Sequence, residues 1–192
     1  IGNDINGEGA YDYSGRSVSL SSNGSRVAIG APGNSENGNA SGHVRIYENI
    51  GGSWSQIGND IDGEAAEDNS GSSVSISSDG QVISIGAPYN DGNNGSLSDN
   101  RGHVRIYSFN GSSWAQIGND INGEAAGYLS GWSTSLSGDG NTVAIGAPDN
   151  APGWNKGQVR VFNIAQYTSP PCSGCTDSLA INYDPYSLIS DN

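Results

Sequence analysis

The chain has little of several things that common functional classes need. It contains no methionine, two histidines, two cysteines and only seven lysines and arginines in 192 residues. Against 20 aspartates and glutamates this gives a net charge of −13. Such a charge argues against nucleic acid or an anionic membrane surface as a partner. No apolar run approaches the roughly 20 residues of a membrane helix, so membrane insertion is not expected.

Both cysteines, Cys172 and Cys175, lie near the C-terminal end of the sequence and are spaced as CSGC. No second cysteine pair completes a zinc site, and no βαβ pattern supports a redox motif. We predict a disulfide, formed between the two or with a cysteine beyond Asn192, and free thiols are the alternative. The abundance of Asn, Ser and Gly, the lack of Met and the acidic surface favour a secreted or cell-surface protein.

The scarcity of histidine argues against an enzyme. His43 and His103 occupy the same position in two similar segments, GHVRIY, and are predicted to be outward-facing strand residues. Serines are spread over every segment, and no G-x-S-x-G motif marks one of them as a nucleophile. We therefore predict a protein without catalytic activity.

Repetition is what the chain has in abundance. The segment IGNDINGE at Ile1 returns as IGNDIDGE at Ile57 and as IGNDINGE at Ile117, each followed by Ser-Gly, an alternating strand and Gly-Ala-Pro. A period of about 56 to 60 residues indicates one supersecondary unit that buries its apolar face against its neighbours. The predicted organisation is three repeats at about 1–56, 57–116 and 117–165, a linker at 166–171 and a Cys-containing acidic tail at 172–192.

Each copy is predicted to contain four short antiparallel strands. Two alternating segments flank Asn23-Gly24, a pair typical of a type I′ hairpin, and Asp79-Gly80 and Asp139-Gly140 repeat it. The GHVRIY segment and a Trp-bearing segment supply the other two strands. The fold class is therefore all-β, with three four-stranded antiparallel blade-like repeats, no long helix and an irregular tail. One apolar face, packed between copies, is predicted to contain Val18, Leu20, Val27, Ile29, Val44 and Ile46.

A resemblance to a known family rests on three segments: SGRSVSLSSNGSRVAIGAP, SGSSVSISSDGQVISIGAP and SGWSTSLSGDGNTVAIGAP. They resemble the FG-GAP repeats of integrin-α-type β-propellers, over about residues 1–165. The resemblance implies a propeller of four-stranded blades used for extracellular adhesion and ligand binding. Turns such as Ser21 to Gly24 stand where the family has Asp-rich calcium loops, and they are too short to supply six to eight oxygens. Three copies are also fewer than the four to eight blades of closed propellers.

Three acidic pairs recur with the repeat. They are predicted to lie in turns between copies and to accept backbone N–H bonds, with a weak cation site as the alternative. Paired carboxylates can hydrolyse glycosides, but only when two of them face one cleft in unlike environments. The pairs are Asp4 and Glu8, Asp60 and Glu64, and Asp120 and Glu124.

Candidate ligand or assembly contacts lie where the copies differ. The loop at 89–101 is longer than its counterpart in the first copy, and the loop at 149–156 contains a Trp and a Lys. Insertions on one face of a repeat array commonly form the binding surface, although a loop Trp could equally cover a neighbouring copy. The candidates for contacting a carbohydrate or a surface protein are Tyr89, Asp91, Asp99, Trp154 and Lys156.

The tail resembles the short GCTD…NYDP…D modules of secreted bacterial surface proteins, without their closing cysteine. Its oxygen-bearing side chains fit calcium as a hard cation, and a polar turn segment is the alternative. No cofactor is expected elsewhere in the chain. The candidate calcium ligands are Asp177, Asn182, Asp184 and Asp191.

The two ends of the repeat array predict self-association. No Trp-bearing strand precedes the first copy in this sequence, and none follows the strand at 158–163 of the third. Unpaired strand edges are templates for another chain, and a head-to-tail contact that does not close generates a filament. The predicted function is thus an extracellular structural or adhesive protein that assembles head to tail. The alternative is a carbohydrate- or protein-binding propeller module that uses the loops at 89–101 and 149–156.

Overall fold

The structure is a computed structural model, and it describes residues 2–92, 99–149 and 156–165. Short strands joined by turns make up these ranges, as the alternating apolar pattern predicts. The strands are β1 (Ser17–Leu20), β2 (Arg26–Ala31), β3 (His43–Ile50), β4 (Ser53–Gln56), β5 (Ile61–Asp62), β6 (Ser73–Ile76), β7 (Val82–Ala87), β8 (His103–Phe109), β9 (Trp114–Gln116), β10 (Ile121–Asn122), β11 (Ser133–Leu136), β12 (Thr142–Ala147) and β13 (Gln158–Asn163).

Three antiparallel sheets follow one another along the chain. The first has the order β1-β2-β3-β4 with β5 added to β3, the second has β6-β7-β8-β9 with β10 added to β8, and the third has β11-β12-β13. The all-β class and the antiparallel pairing are confirmed. The predicted four strands per copy are not confirmed: the opening segment of each later copy adds a fifth strand to the preceding sheet, and the third sheet has three strands in the described ranges.

The hairpin between β1 and β2 differs from the predicted type I′ turn. Gly24 has φ of 68°, whereas Asn23 is not among the residues with positive φ. The Asn23 side chain instead accepts hydrogen bonds from the Ser21 hydroxyl and the Ser25 backbone N–H, both at 2.9 Å. An Asn or Asp in this place is therefore selected by the hydrogen bonds of its side chain, and only the glycine supplies the left-handed conformation.

The strand register divides the apolar residues between two faces of each sheet. In an antiparallel pair, directly opposite residues share a face. Val18 lies opposite Ile29, and Ile29 lies opposite Arg45, whereas Ala28 lies opposite Ile46. The prediction of a single apolar face is therefore wrong, because Val44 and Ile46 lie on the face opposite to Val18, Leu20, Val27 and Ile29.

The sheets stack so that unlike faces meet. The first core joins Ala28, Val44 and Ile46 of the first sheet to apolar side chains of the second, and Ile46 is fully buried. The second core repeats this contact between the second and third sheets. The members from the following sheet are Val74, Ile76, Ile83 and Ile85 in the first core, and Val143 and Ile145, opposite Val104 and Ile106, in the second.

Glycine is required where two sheets approach most closely. A Cβ atom built on Gly30 would lie 2.1 Å from the backbone oxygen of Gly71, and one built on Gly86 would lie 2.1 Å from that of Gly131. The Ser17 and Ser73 hydroxyls donate 2.7 Å hydrogen bonds to the same two oxygens. The repeated Ser-Gly and Gly-Ala-Pro motifs are therefore the two sides of one contact between successive copies.

The hairpin turns also link the copies through the backbone. Ser22 donates its backbone N–H to the Ser78 oxygen at 2.9 Å, and Ser78 donates to the Gly138 oxygen at 2.8 Å. These bonds hold the three turns side by side, so the copies share one orientation. No helix in the described ranges is both long and apolar enough to cross a membrane.

Candidate functional site at the junctions between repeats

The first junction brings polar side chains from two copies around one buried imidazole. His43 Nδ1 lies 3.5 Å from an oxygen of Asp60 and 3.8 Å from Oε2 of Glu8. The other Glu8 oxygen pairs with Arg45 Nη1 at 3.2 Å. Glu8, His43 and Arg45 belong to the first copy and Asp60 to the second, so the cluster exists only where two copies meet.

Strand pairing explains how this cluster forms. β3 carries His43 and Arg45, and the second copy contributes β5, in which Asp62 lies opposite His43. This pairing brings Asp60, which precedes β5, to the end of β3. Arg45 also donates a 2.9 Å hydrogen bond from Nη2 to the backbone oxygen of Asn6, which fixes the segment that carries Glu8.

The second junction repeats the arrangement one copy further along. His103 Nδ1 lies 3.8 Å from Oε2 of Glu64 and 3.9 Å from Oδ2 of Asp120. Arg105 Nη1 lies 3.8 Å from the other Glu64 oxygen, and its Nη2 donates a 2.7 Å hydrogen bond to the backbone oxygen of Asp62. The same two carboxylates and one guanidinium group therefore surround the imidazole at both junctions.

The third copy carries a different donor at the histidine position. Gln158 Nε2 donates a 3.0 Å hydrogen bond to Glu124, and Arg160 Nε lies 3.5 Å from the other oxygen of that carboxylate. Arg160 keeps the backbone contact, at 2.8 Å to the oxygen of Asn122. The glutamine amide of the third copy therefore hydrogen-bonds to its glutamate directly, whereas the histidine Nδ1 atoms of the first two copies lie 3.8 Å from theirs.

Burial sets the charge of this cluster. Both imidazoles are 1% exposed. The burial of His103 and the positive charge of Arg105 lower the pKa of this imidazole to about 4, against the opposing effect of Asp120. Burial raises the pKa of Glu64, which Arg105 counteracts. His103 is therefore neutral at neutral pH.

Two of the predictions for these residues are wrong. His43 and His103 do not face outwards, because β3 and β8 are each covered by the opening segment of their own copy and by the next copy. The repeated acidic residues hold side chains rather than backbone N–H groups: Asp60 and Asp120 accept from Gln56 and Gln116. The backbone role falls to Asp12 and Asp68, which accept from the N–H groups of Gly9 and Ala65.

A separate groove runs across the three copies on one face of the stack. It has a volume of about 290 Å³, and the aromatic rings of Tyr13, Tyr89 and Trp132 come from the first, second and third copies in turn. Tyr89 and Trp132 meet edge to face with ring centroids 6.4 Å apart. Arg16 and Asn69 supply polar groups to the lining.

The predicted contact residues fall into three groups. Tyr89 lines the groove, and Lys156 is exposed beside a shallow depression that also contains Trp132. Asp91 accepts a 2.9 Å hydrogen bond from the Asn100 N–H, and Asp99 accepts one of 2.6 Å from Arg101 Nε, so both order their own loop. The remaining predicted residues lie outside the described ranges: Trp154, Cys172, Cys175, Asp177, Asn182, Asp184 and Asp191.

Sequence reasoning missed Tyr13 and Trp132. The signal for Trp132 was available, because SGW replaces the SGR and SGS of the other copies. The signal for Tyr13 lies in the backbone: Tyr13, Asn69 and Leu129 all take positive φ, between 52° and 54°, just before each Ser-Gly. Non-glycine residues in this conformation cluster at functional sites, and a sequence pattern does not reveal them.

Within the described part of the chain, the stack exposes two apolar faces. Val18 and Leu20 on the first sheet are 63% and 60% exposed, and Val159 and Val161 on the third are 70% and 65% exposed. In the core between the first two sheets, their counterparts Val44, Ile46, Val74 and Ile76 are buried. Each end of the stack therefore exposes one of the two apolar faces that pack together between the first two sheets.

This fold defines a class of protein built from stacked antiparallel repeat sheets. Residues 6–47 match the family model of the FG-GAP repeat. The chain therefore carries an FG-GAP repeat, and the resemblance seen in the sequence is confirmed for the first copy. No curated protein matches the chain by sequence.

Two solved structures resemble the fold at low sequence identity. The periplasmic gluconolactonase PpgL of Pseudomonas aeruginosa is 16% identical with a TM-score of 0.47, over 80% of this chain and 41% of its own. Hydrazine synthase of Kuenenia stuttgartiensis is 12% identical with a TM-score of 0.46, over 78% of this chain and 34% of its own. The chain thus spans well under half of either protein, and neither likeness transfers an activity to it.

Proposed function

We propose that this protein is a non-catalytic, extracellular structural or adhesive repeat protein whose copies associate head to tail. The observation that carries the proposal is the pair of exposed apolar faces at the two ends of the stack. Val18 and Leu20 correspond to Val74 and Ile76, and Val159 and Val161 correspond to Val44 and Ile46. Within the chain these two sets are buried together in one core.

The two end faces are therefore complementary by construction. A second copy that docks its Val18 face on the Val161 face of the first repeats a contact that the chain already forms twice. Contiguous exposed apolar surface commonly marks an interaction site. The contact joins unlike surfaces, so it closes into a ring or continues as a filament. In this proposal each sheet acts as one propeller blade, which consists of four strands and a short fifth strand from the next copy.

The composition supports the location and the lack of catalysis. A net charge of −13, no Met and 30 glycines in 192 residues fit a soluble extracellular surface better than an intracellular enzyme. Both histidines are buried, which removes them from contact with a large substrate. The partner of the proposal is another copy of this chain, and no nucleic acid or membrane is involved.

Association should depend on both end faces. We expect Val161→Asp and Val18→Asp each to yield monomers, because a carboxylate cannot be buried unpaired in an apolar contact. The wild-type chain should form larger particles in analytical ultracentrifugation. An equimolar mixture of the two variants should give heterodimers only, since each variant keeps one intact face.

Ser55→Asp provides a control, because Ser55 is exposed and lies on the opposite side of β4 from Trp54, which is beside Val18 on the end face. This variant should assemble like the wild-type chain. A wild-type chain that stays monomeric at high concentration contradicts the proposal, as does an oligomer that both valine variants leave intact.

A second function is favoured by the aromatic groove. Ligand sites are concave and mostly apolar, with a few polar groups that orient the ligand, and three rings with Arg16 and Asn69 match this description. Aromatic side chains combine a large apolar surface with a polar edge, which suits a carbohydrate or a surface-protein ligand.

Binding in the groove should require Trp132. On a glycan array, Trp132→Ala is expected to weaken the affinity for any bound glycan by about tenfold or more, because loss of a buried aromatic contact costs over 1 kcal/mol of binding free energy. Tyr11→Ala is the control, since Tyr11 is 81% exposed and does not line the groove. Equal loss in both variants, or no glycan bound by the wild-type chain, argues against a carbohydrate site.

A further inference from the structure

The two histidine clusters at the repeat junctions contain an unusual gap. Hydrogen bonds between nitrogen and oxygen span about 2.7 to 3.2 Å. The Nδ1 atoms of His43 and His103 lie 3.5 to 3.9 Å from their carboxylate oxygens, and both are buried without a hydrogen-bond partner. A buried polar atom without a partner costs free energy. The imidazole Nδ1 lacks a hydrogen-bond partner at both described junctions that contain histidine.

A metal ion of suitable size accounts for this spacing. Zinc binds imidazole nitrogen at about 2.0 Å and carboxylate oxygen at about 2.1 Å, so tetrahedral geometry separates the two ligand atoms by about 3.4 Å. The three ligand atoms of each cluster lie within 4.8 Å of one another. One histidine and two carboxylates leave the fourth position of a tetrahedral ion to water. Calcium fits less well, because it requires six to eight oxygens.

The charges of each cluster and the directions of its ligand atoms also suit a metal ion. Each cluster combines two carboxylates with one arginine, so a dication enters a site of net negative charge. Arg45 engages Oε1 of Glu8, which leaves Oε2 directed towards the imidazole. Nδ1 of each imidazole faces the two carboxylate oxygens of its cluster and is therefore the nitrogen placed to bind a metal.

We propose that Glu8, His43 and Asp60, and again Glu64, His103 and Asp120, form two divalent transition-metal sites that join successive repeats, with zinc as the best-fitting ion. Two ligands of each site come from one copy and the third comes from the next. A bound ion therefore links the copies, and its binding free energy adds to the stability of the folded array.

The third copy supports this assignment by contrast. Where glutamine replaces histidine, its amide reaches Glu124 at 3.0 Å, and the wide gap is gone. A histidine that served for packing alone would gain no stability from carboxylates that lie beyond hydrogen-bond distance, at 3.5 to 3.9 Å. The substitution His→Gln is therefore a natural control, because the chain itself uses glutamine in this structural position.

Zinc titration of the full chain carrying Cys172→Ser and Cys175→Ser tests the proposal, because the tail thiols can then no longer compete for zinc. Calorimetry should give two sites in this background, one in His43→Gln or His103→Gln, and none of this class in the double variant. Loss of one ligand should weaken binding at its site by more than about tenfold, since even an outer-shell partner contributes that much. The melting temperature should rise with zinc, rise much less with calcium, and stay constant in the double variant.

Two further measurements cover a variant that fails to fold. Asp60→Asn with Asp120→Asn removes one ligand per site while keeping an oxygen that can accept from Gln56 and Gln116. It should lose zinc binding without losing the fold. Cobalt bound to the cysteine-free chain should show the intense visible absorption of a tetrahedral site. Zinc binding that is unchanged in these variants, or no zinc-dependent rise in melting temperature, overturns the proposal.

Discussion

Gly86→Ala is expected to destabilise the fold by about 3 kcal/mol or more, the upper end of the cost of overpacking. The added methyl group would lie 2.1 Å from the backbone oxygen of Gly131, which belongs to the next copy. The clash falls on backbone rather than on a flexible side chain, so only a separation of the two sheets relieves it. That separation would also break the hydrogen bond from the Ser73 hydroxyl to the same oxygen.

Gly146→Ala is the matched control for this prediction. Gly146 stands in the same Gly-Ala-Pro motif, and its added Cβ would meet the Ser133 hydroxyl, as the Gly86 Cβ meets that of Ser73. It meets no backbone oxygen of a following copy in the described ranges. We expect a change within about 1 kcal/mol, partly offset by the lower entropy of the unfolded alanine chain. Equal destabilisation of both variants in urea unfolding would show that the glycine matters within its own sheet rather than between sheets.

The sequence predicted the local structure well because that structure depends on local patterns. Period-two alternation located β1, β2 and their counterparts, and the repeated turn residues located the hairpins. The turn type was wrong, because Asn, Asp and Gly pairs also occur where a side chain caps the turn and glycine alone takes positive φ. The sequence Asn23-Gly24 does not distinguish these two cases.

The faces of the strands were harder to predict. A loop of variable length separates β2 from β3, and a shift of one residue in the pairing moves every side chain of β3 to the other face. Moreover, β3 and β8 are buried on both faces over most of their length. The second sheet is stacked between two neighbours, whereas the opening segment of the first copy covers His43 and Arg45 on the outer face of β3. Alternation of polar and apolar residues then no longer separates inside from outside, and His43 and Arg45 are buried although their polarity indicated solvent.

The junction clusters were not predictable from one repeat read by itself. Each acidic pair and each histidine was visible as a repeated feature, but Glu8 and Asp60 belong to different copies. They meet because β5 leaves the second copy and pairs with β3 of the first. The relevant unit is therefore offset from the repeat boundary, and only the strand pairing reveals that offset.

Ile46→Asp is expected to destabilise the fold by roughly 3 kcal/mol or more, because it places an unpaired carboxylate in the core between the first two sheets. Ile46 is fully buried there, against apolar side chains of the second copy. Val161 occupies the equivalent strand position in the third copy, yet it is 65% exposed. Val161→Asp should therefore change the free energy of unfolding of the monomer by less than about 1 kcal/mol.

The two variants together separate folding from assembly. Chemical unfolding followed by circular dichroism, at a concentration where the wild-type chain is monomeric, compares their stabilities without a contribution from association. Ile46→Asp should lower the stability at every concentration, whereas Val161→Asp should remove only the stability that grows with concentration, because its face is buried only by a neighbour. A large loss in monomeric Val161→Asp would mean that its face is already covered within one chain, and the head-to-tail contact would then lose its docking surface.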